Sequence, residues 1–138
     1  DPRAELSENG FIATEPVGFA EAIRWAQRYY VPIYITENGV EDSQDIMRPH
    51  YLITHLFEMW KAMQGGADVR GYMHWSQVDN FEWERGWTQR FGLWGLNPLT
   101  QERIRRSSVD IYRDVCMQNA ISTENILQCA PELQSELD

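Results

Sequence analysis

The chain has 138 residues, 43% of them hydrophobic and 24% charged, which is the size and composition of one ordinary domain and excludes a disordered or collagen-like chain. Lys and Arg number 12 against 21 Asp and Glu, and the resulting net charge of −9 leaves no basic footprint for nucleic acid or an anionic membrane surface. No stretch approaches the ~18 consecutive apolar residues that a membrane span needs.

Residues 1–15 show no apolar periodicity and read as a loop, and their polar, acidic beginning does not read as a secretory leader. Pro16 suits the first turn of a helix, and Phe19, Ala22, Ile23 and Ala26 recur at helical spacing, so a helix is predicted over 17–29. Pro32 prevents it from running on. Ile33, Tyr34, Ile35 and Thr36 are short, β-branched and apolar, the pattern of a buried strand that stops at the turn signal Glu37-Asn38-Gly39. An acidic polar loop follows to about Ile46. Tyr51, Leu52, His55, Leu56, Met59 and Met63 then mark a second helix, closed by Gly65-Gly66. Val69 to Trp75 reads as a second strand. Residues 76–100 carry Asp79-Asn80, Gly86, Gly92, Gly95 and Pro98 and read as a long aromatic loop with room for a hairpin. Val109, Tyr112, Val115 and Cys116 predict a last helix, and 122–138 is expected to be a polar, flexible tail. The two cysteines, Cys116 and Cys129, make neither a disulfide scaffold nor a zinc-ligand spacing; two free thiols of a cytoplasmic protein are expected ahead of the alternative, a single disulfide between them.

Strands alternating with helices imply a parallel sheet of an α/β fold. Two apolar parallel strands cannot cover each other, and parallel strands are normally buried on both faces within a larger sheet. The chain is therefore expected to be incomplete on its own, part of a larger β/α fold.

Glu37 follows the first strand directly, and a carboxylate at the C-terminal end of a β/α-barrel strand stands on the face where such barrels place catalytic groups. The second strand runs through His74 and Trp75 into Asp79, Glu82, Trp83, Trp87 and Phe91. Carboxylate pairs carry out most glycoside hydrolysis, and aromatic faces stack on the C–H face of a sugar ring. Two strand ends bearing carboxylates, one of them rich in tryptophan, point to a sugar pocket.

Ile33-Tyr34-Ile35-Thr36-Glu37-Asn38-Gly39 resembles the signature of family 1 glycoside hydrolases, the β-glucosidase and β-galactosidase group. Val69-Arg70-Gly71-Tyr72 and Trp75-Ser76-Gln77-Val78-Asp79-Asn80-Phe81-Glu82-Trp83 resemble that family's second C-terminal signature. Arg90-Phe91-Gly92-Leu93, Thr100-Gln101-Glu102-Arg103, and Asp45-Ile46-Met47-Arg48 with Tyr51-Leu52 and His55-Leu56 follow its pattern too. The resemblance spans about residues 16–116. It implies a (β/α)₈ TIM barrel of which this chain is the last quarter, from about the sixth helix to the eighth, the two strands being the seventh and eighth.

By the same resemblance Glu37 is the nucleophile of a retaining β-glycosidase acting on β-linked glucosides or galactosides. Glu82 and Trp83 bind hydroxyls of the first sugar, the carboxylate accepting and the indole N–H donating. Trp75 is the stacking platform and Phe91 shapes the wall. No cofactor and no metal are implied. Asn38 and Asp79 brace loops; His55 is structural; His74 faces away from Trp75; Trp25 and Trp60 pack; Trp87 and Trp94 stay open between rim and packing. Gln77-Val78 stands where many members have Leu-Leu, and Glu82 would repel a 6-phosphate, favouring neutral sugars. The family's acid/base lies in an Asn-Glu-Pro motif on the fourth strand, and no such motif occurs here, so the N-terminal segment of the same barrel must supply it. A non-catalytic sugar-binding or assembly fragment is the alternative. A partner segment carrying Asn-Glu-Pro separates the two.

Overall fold

The computed structural model describes residues 4–137. Its elements are α1 (Pro16–Gln27), β1 (Ile33–Asn38), α2 (Arg48–Gln64), β2 (Val69–His74), a 3₁₀ turn (Trp83–Arg85), β3 (Trp94–Leu96), β4 (Arg103–Arg105), α3 (Ser108–Gln118), α4 (Thr123–Cys129) and a closing 3₁₀ helix (Pro131–Glu136). β1 and β2 pair in parallel, as their alternation with helices predicts, and β3 and β4 form an antiparallel hairpin. That hairpin extends the expected long loop past residue 100, and Asn97 shapes its turn by accepting from Leu99 N at 2.9 Å.

Side chains alternate across a strand, and the two faces of this sheet meet different surroundings. Ile33 and Ile35 pack into a core with Ile23 of α1, Ala62 of α2, Ala67 of the connection after it and Val69 of β2. Tyr34 and Met73, on the opposite face, are 56% and 48% exposed. A parallel pair with one bare face is an unfinished sheet, as its strand count implies.

α2 is the central element and is buried almost all round. Leu52, Ile53, Leu56 and Phe57 form a second core with Ile111 of α3 and Ile126, Cys129 and Leu133 of the C-terminal stretch. Each such side chain contributes about 1.5–3 kcal/mol when taken from water. The stretch after Ser122, expected as a flexible tail, is helical instead. Ser122 Oγ accepts from Asn125 N at 3.1 Å, and Asn125 Oδ1 accepts in return from Ser122 N at 3.3 Å, a capping box. Ile126 and Cys129 of α4 and Leu133 of the closing 3₁₀ helix then face the α2 core; apolar positions so few, spread over two short helices, are too sparse for periodicity to register. Trp25 and Trp60, expected to pack, are 56% and 43% exposed. Cys116 and Cys129 are free. Among the described residues no helix is long and apolar enough to cross a membrane.

The acidic polar loop after Gly39 turns inward, with Glu41 and Asp42 buried. Asp42 Oδ2 accepts from Met47 N at 2.8 Å and Arg48 N at 3.0 Å, satisfying donors at the start of α2. Arg48, wholly buried, donates to Asp45 and to the carbonyl oxygens of Asp42 and Arg90. Burial works to raise the Asp45 carboxyl, but hydrogen bonds from Ser108 and Ser107 and the Arg48 charge outweigh it and hold that carboxyl below its ordinary range. These buried charges tie the loop after β1 to α2 and α3.

Two buried histidines make stability depend on pH. His55, 2% exposed, stacks on Tyr51 at 3.7 Å and donates through Nδ1 to the Tyr51 carbonyl oxygen at 2.7 Å. His74 lies 5.9 Å from the Tyr112 ring. Burial pushes each down to about 4, with the Arg48 charge adding to the effect at His74. The unfolded chain takes up protons near the ordinary 6.5, so between 6.5 and about 4 it binds more protons than the folded chain. Stability therefore rises with pH across that window and is lost as pH falls. The urea midpoint is expected to drop on acidification through it, and His55→Phe is expected to flatten the slope; equal slopes for the two proteins would rule His55 out as a source.

Candidate active site

Strict alternation along β1 would send Glu37 to the side of Ile33 and Ile35, against the helices. The register prevents it. Ile35 pairs with Tyr72 and Asn38 with His74, so one extra residue is accommodated on β1 between those pairs. Such a bulge breaks alternation and re-aims a side chain. Glu37 sits in it and is exposed, lining an open cleft at the C-terminal end of the sheet. Gly39 follows, where an added Cβ would lie 1.7 Å from the Trp75 carbonyl oxygen. Only glycine lets the two strand ends approach so closely, and Trp75 N donates to Asn38 O at 3.0 Å across the gap. Asn38 is held between two phenols: its Nδ2 donates to Tyr51 Oη at 3.2 Å and its Oδ1 accepts from Tyr72 Oη at 2.8 Å. Burial pushes the Tyr51 phenol up to about 12, so it stays protonated beside the cleft.

Asp79 organises the long loop. Its Oδ1 accepts from Gly92 N at 2.8 Å and Arg106 Nη1 at 2.9 Å, and its Oδ2 from Leu96 N at 3.2 Å and Arg106 Nη2 at 3.1 Å. Ser76 N donates to Phe91 O at 3.1 Å and Leu93 N to Ser76 O at 2.8 Å, which brings buried Phe91 beside the end of β2. Glu82 N donates to Gly86 O at 2.8 Å, closing a tight turn in which Trp83 adopts φ 45°, a conformation unfavourable for a bulky side chain. Strained backbone of this kind collects at ligand sites. Trp83 is 79% exposed and faces the cleft opening.

The cleft, about 490 Å³, brings together all five residues singled out in the sequence: Glu37, Trp75, Glu82, Trp83 and Phe91. His74 is buried away from it, as the alternation with Trp75 predicts. Trp87 and Trp94 do not line it; Trp87 packs edge-on against Phe81 at 6.0 Å. The loop read over residues 1–15 contributes Phe11 and Ile12 to the wall, and α2 contributes Tyr51. Periodicity carries no trace of Phe11 and Ile12, because no helix or strand holds them. Among the described residues no group of His, Cys, Asp and Glu is disposed to hold a metal ion. A larger hollow of about 600 Å³ opens between α2, β2 and α3, but its lining is mainly apolar and holds no carboxylate. The smaller cleft has acceptors in two carboxylates, a donor in an indole N–H and flat aromatic faces, the complement that a polyhydroxylated ring requires.

The sequence pattern described as glycosyl hydrolase family 1 matches residues 1–121. A β-galactosidase of Pyrococcus woesei is 45% identical over 108 residues, which cover 78% of this chain and 21% of that protein. Among solved structures, a β-glycosidase from Pyrococcus horikoshii superposes with a TM-score of 0.85 at 37% identity, over 90% of this chain and 29% of its own. A β-glucosidase from Thermotoga maritima in complex with deoxynojirimycin does so with a TM-score of 0.83 at 31% identity, over 88% and 30%. The chain thus spans between about a fifth and a third of the length of these relatives.

Proposed function

As the chain belongs to glycosyl hydrolase family 1 and forms part of its TIM barrel, we propose that it is the segment of a retaining β-glycosidase that carries the nucleophile and much of the sugar site. The observation that supports this most is the convergence of Glu37, Glu82, Trp75, Trp83 and Phe91 on one open cleft at the strand ends. In this reading a Glu37 oxygen attacks the anomeric carbon of a β-linked glucoside or galactoside, the bond to the leaving group breaks, and a glycosyl-enzyme forms. A second carboxyl, ~5–5.5 Å from Glu37, protonates the leaving oxygen and then activates water. That group comes from the part of the barrel outside this chain, so hydrolysis belongs to the completed barrel. Glu82 accepts hydroxyl protons of the ring, Trp83 donates to a hydroxyl, Trp75 stacks beneath the sugar and Phe91 closes the wall. A 6-phosphate would meet the Glu82 carboxylate and be repelled, which selects neutral sugars.

A β-glucoside with fluorine at carbon 2 and a good leaving group tests this directly. Fluorine withdraws electrons from the oxocarbenium-like transition states and slows both steps, while the good leaving group restores the first. The complete enzyme is expected to accumulate one sugar per chain, on the peptide that contains Glu37. A label on another residue would overturn the assignment; sugar binding without a label would favour the non-catalytic alternative.

A further inference from the structure

Glu41 lies in the loop that leaves β1, just beyond Glu37, and is wholly buried. No step proposed above uses it. Its Oε1 accepts from Ser7 Oγ and from Phe11 N at 3.2 Å. Ser7 Oγ in turn accepts from Phe11 N at 3.1 Å and Ile12 N at 2.8 Å. The other oxygen, Oε2, is buried with no hydrogen-bond partner among the described residues. A carboxylate is costly to bury and persists only where its bonds are needed. Here they converge on the backbone of the two residues that residues 4–15 send into the cleft. Those residues stand outside any helix or ladder; the Leu6–Ala13 bridge and a bond from Ser7 N to Ile12 O at 2.8 Å close the turn behind them. On the far side the Arg85 guanidinium lies 4.2 Å from the Phe11 ring centre. Glu8 ties the same segment to Ser43 N at 2.7 Å, but at an exposed site.

We infer that Glu41 is a positioning residue: by holding Ser7 and Phe11 it sets Phe11 and Ile12 as the apolar wall of the cleft, and that wall selects the leaving group. The inference rests on the glycosidase reading. The side chains of Phe11 and Ile12 are carbon alone, whereas those of Glu82 and Trp83 carry the groups proposed to bind hydroxyls. A wall of carbon discriminates between an aromatic and a sugar leaving group through contact area and leaves recognition of the ring hydroxyls untouched.

The test uses the full-length enzyme and compares an aryl β-glucoside, a β-linked disaccharide and an iminosugar that fills only the position of the transferred sugar. Glu41→Ala is expected to raise KM for the aryl substrate by about tenfold and erase its preference over the disaccharide, the size of losing a few apolar contacts. The inhibition constant of the iminosugar is expected to stay within about twofold, because its contacts are elsewhere. Glu41→Gln keeps an acceptor for Ser7 and Phe11 and should remain within about threefold of wild type. Should Glu41→Ala fail to fold, Ser7→Ala is expected to shift the same preference in the same direction. Aryl and iminosugar constants moving together, or an unchanged preference in both variants, would overturn the inference. A wild-type enzyme inert towards every β-glycoside would overturn the glycosidase reading. Hydrogen exchange at Phe11 and Ile12 reports the anchor separately, faster in Glu41→Ala if Glu41 holds them and unchanged if it does not.

Discussion

Replacing Glu37 with Gln in the completed barrel is expected to lower turnover of a β-glycoside by on the order of 10⁴-fold or more, with binding of a sugar-like inhibitor retained. The amide has nearly the shape of the carboxyl but no oxygen nucleophilic enough to bond the anomeric carbon. The residues proposed to hold the sugar are separate from it in the chain: Trp75 at the end of β2, Glu82 and Trp83 in their own turn, and Phe91 buried beyond them. Their support does not pass through the Glu37 side chain, so the loss should fall on kcat. Burst kinetics with an activated aryl glycoside would separate the steps, since the variant should release no burst of leaving group. A rate near normal would remove Glu37 from the mechanism.

Asp79→Ala is expected to cost about 3–5 kcal/mol of stability, the range for breaking a buried ion pair by removing one partner. The Asp79 side chain is 2% exposed and that of Arg106 9%, so neither can exchange its partner for water. Removing the carboxylate leaves the buried Arg106 guanidinium with the carbonyl oxygens of Gly92 and Ser43 but without its counter-charge, and leaves Gly92 N and Leu96 N without their acceptor. The urea midpoint should fall steeply in Asp79→Ala. Adding Arg106→Ala should cost less than Arg106→Ala does alone, because the unpaired charge goes with it and what is lost is its bonds to the carbonyl oxygens of Gly92 and Ser43. A single-variant loss below about 1 kcal/mol would show that the loop is held by other contacts. The same bonds stand behind the site, for they bring Gly92, and with it Phe91, against the start of the loop that bears Glu82 and Trp83.

Much of the site was legible because its chemistry is local in the chain. Glu37 ends an apolar strand, Trp75 ends the next, and Glu82 and Trp83 follow in one aromatic loop, so strand ends and residue types suffice to put them at one end of the sheet. What was not legible depends on distant partners. Nothing local in the chain tells that Arg48, Ser7 and Ser108 meet the acidic residues after Gly39. Trp25 and Trp60 have the spacing of packing residues, yet they are half exposed, on a chain whose sheet has one bare face.

By itself the sequence determined the order of α1, β1, α2, β2 and α3, the parallel pairing, the incompleteness of the sheet and the residue types at the strand ends, because each follows from periodicity, strand count or short-range chemistry. Only the tertiary structure decided the bulge that turns Glu37 into the cleft, the recruitment of Phe11, Ile12 and Tyr51 to its wall, and the docking of the stretch after Ser122 on α2. The physical reason is common to all three. A register shift, a buried carboxylate reaching from Glu41 to Ser7, and an apolar face of only three side chains take their free energy from groups far apart in the chain, and no local pattern records them.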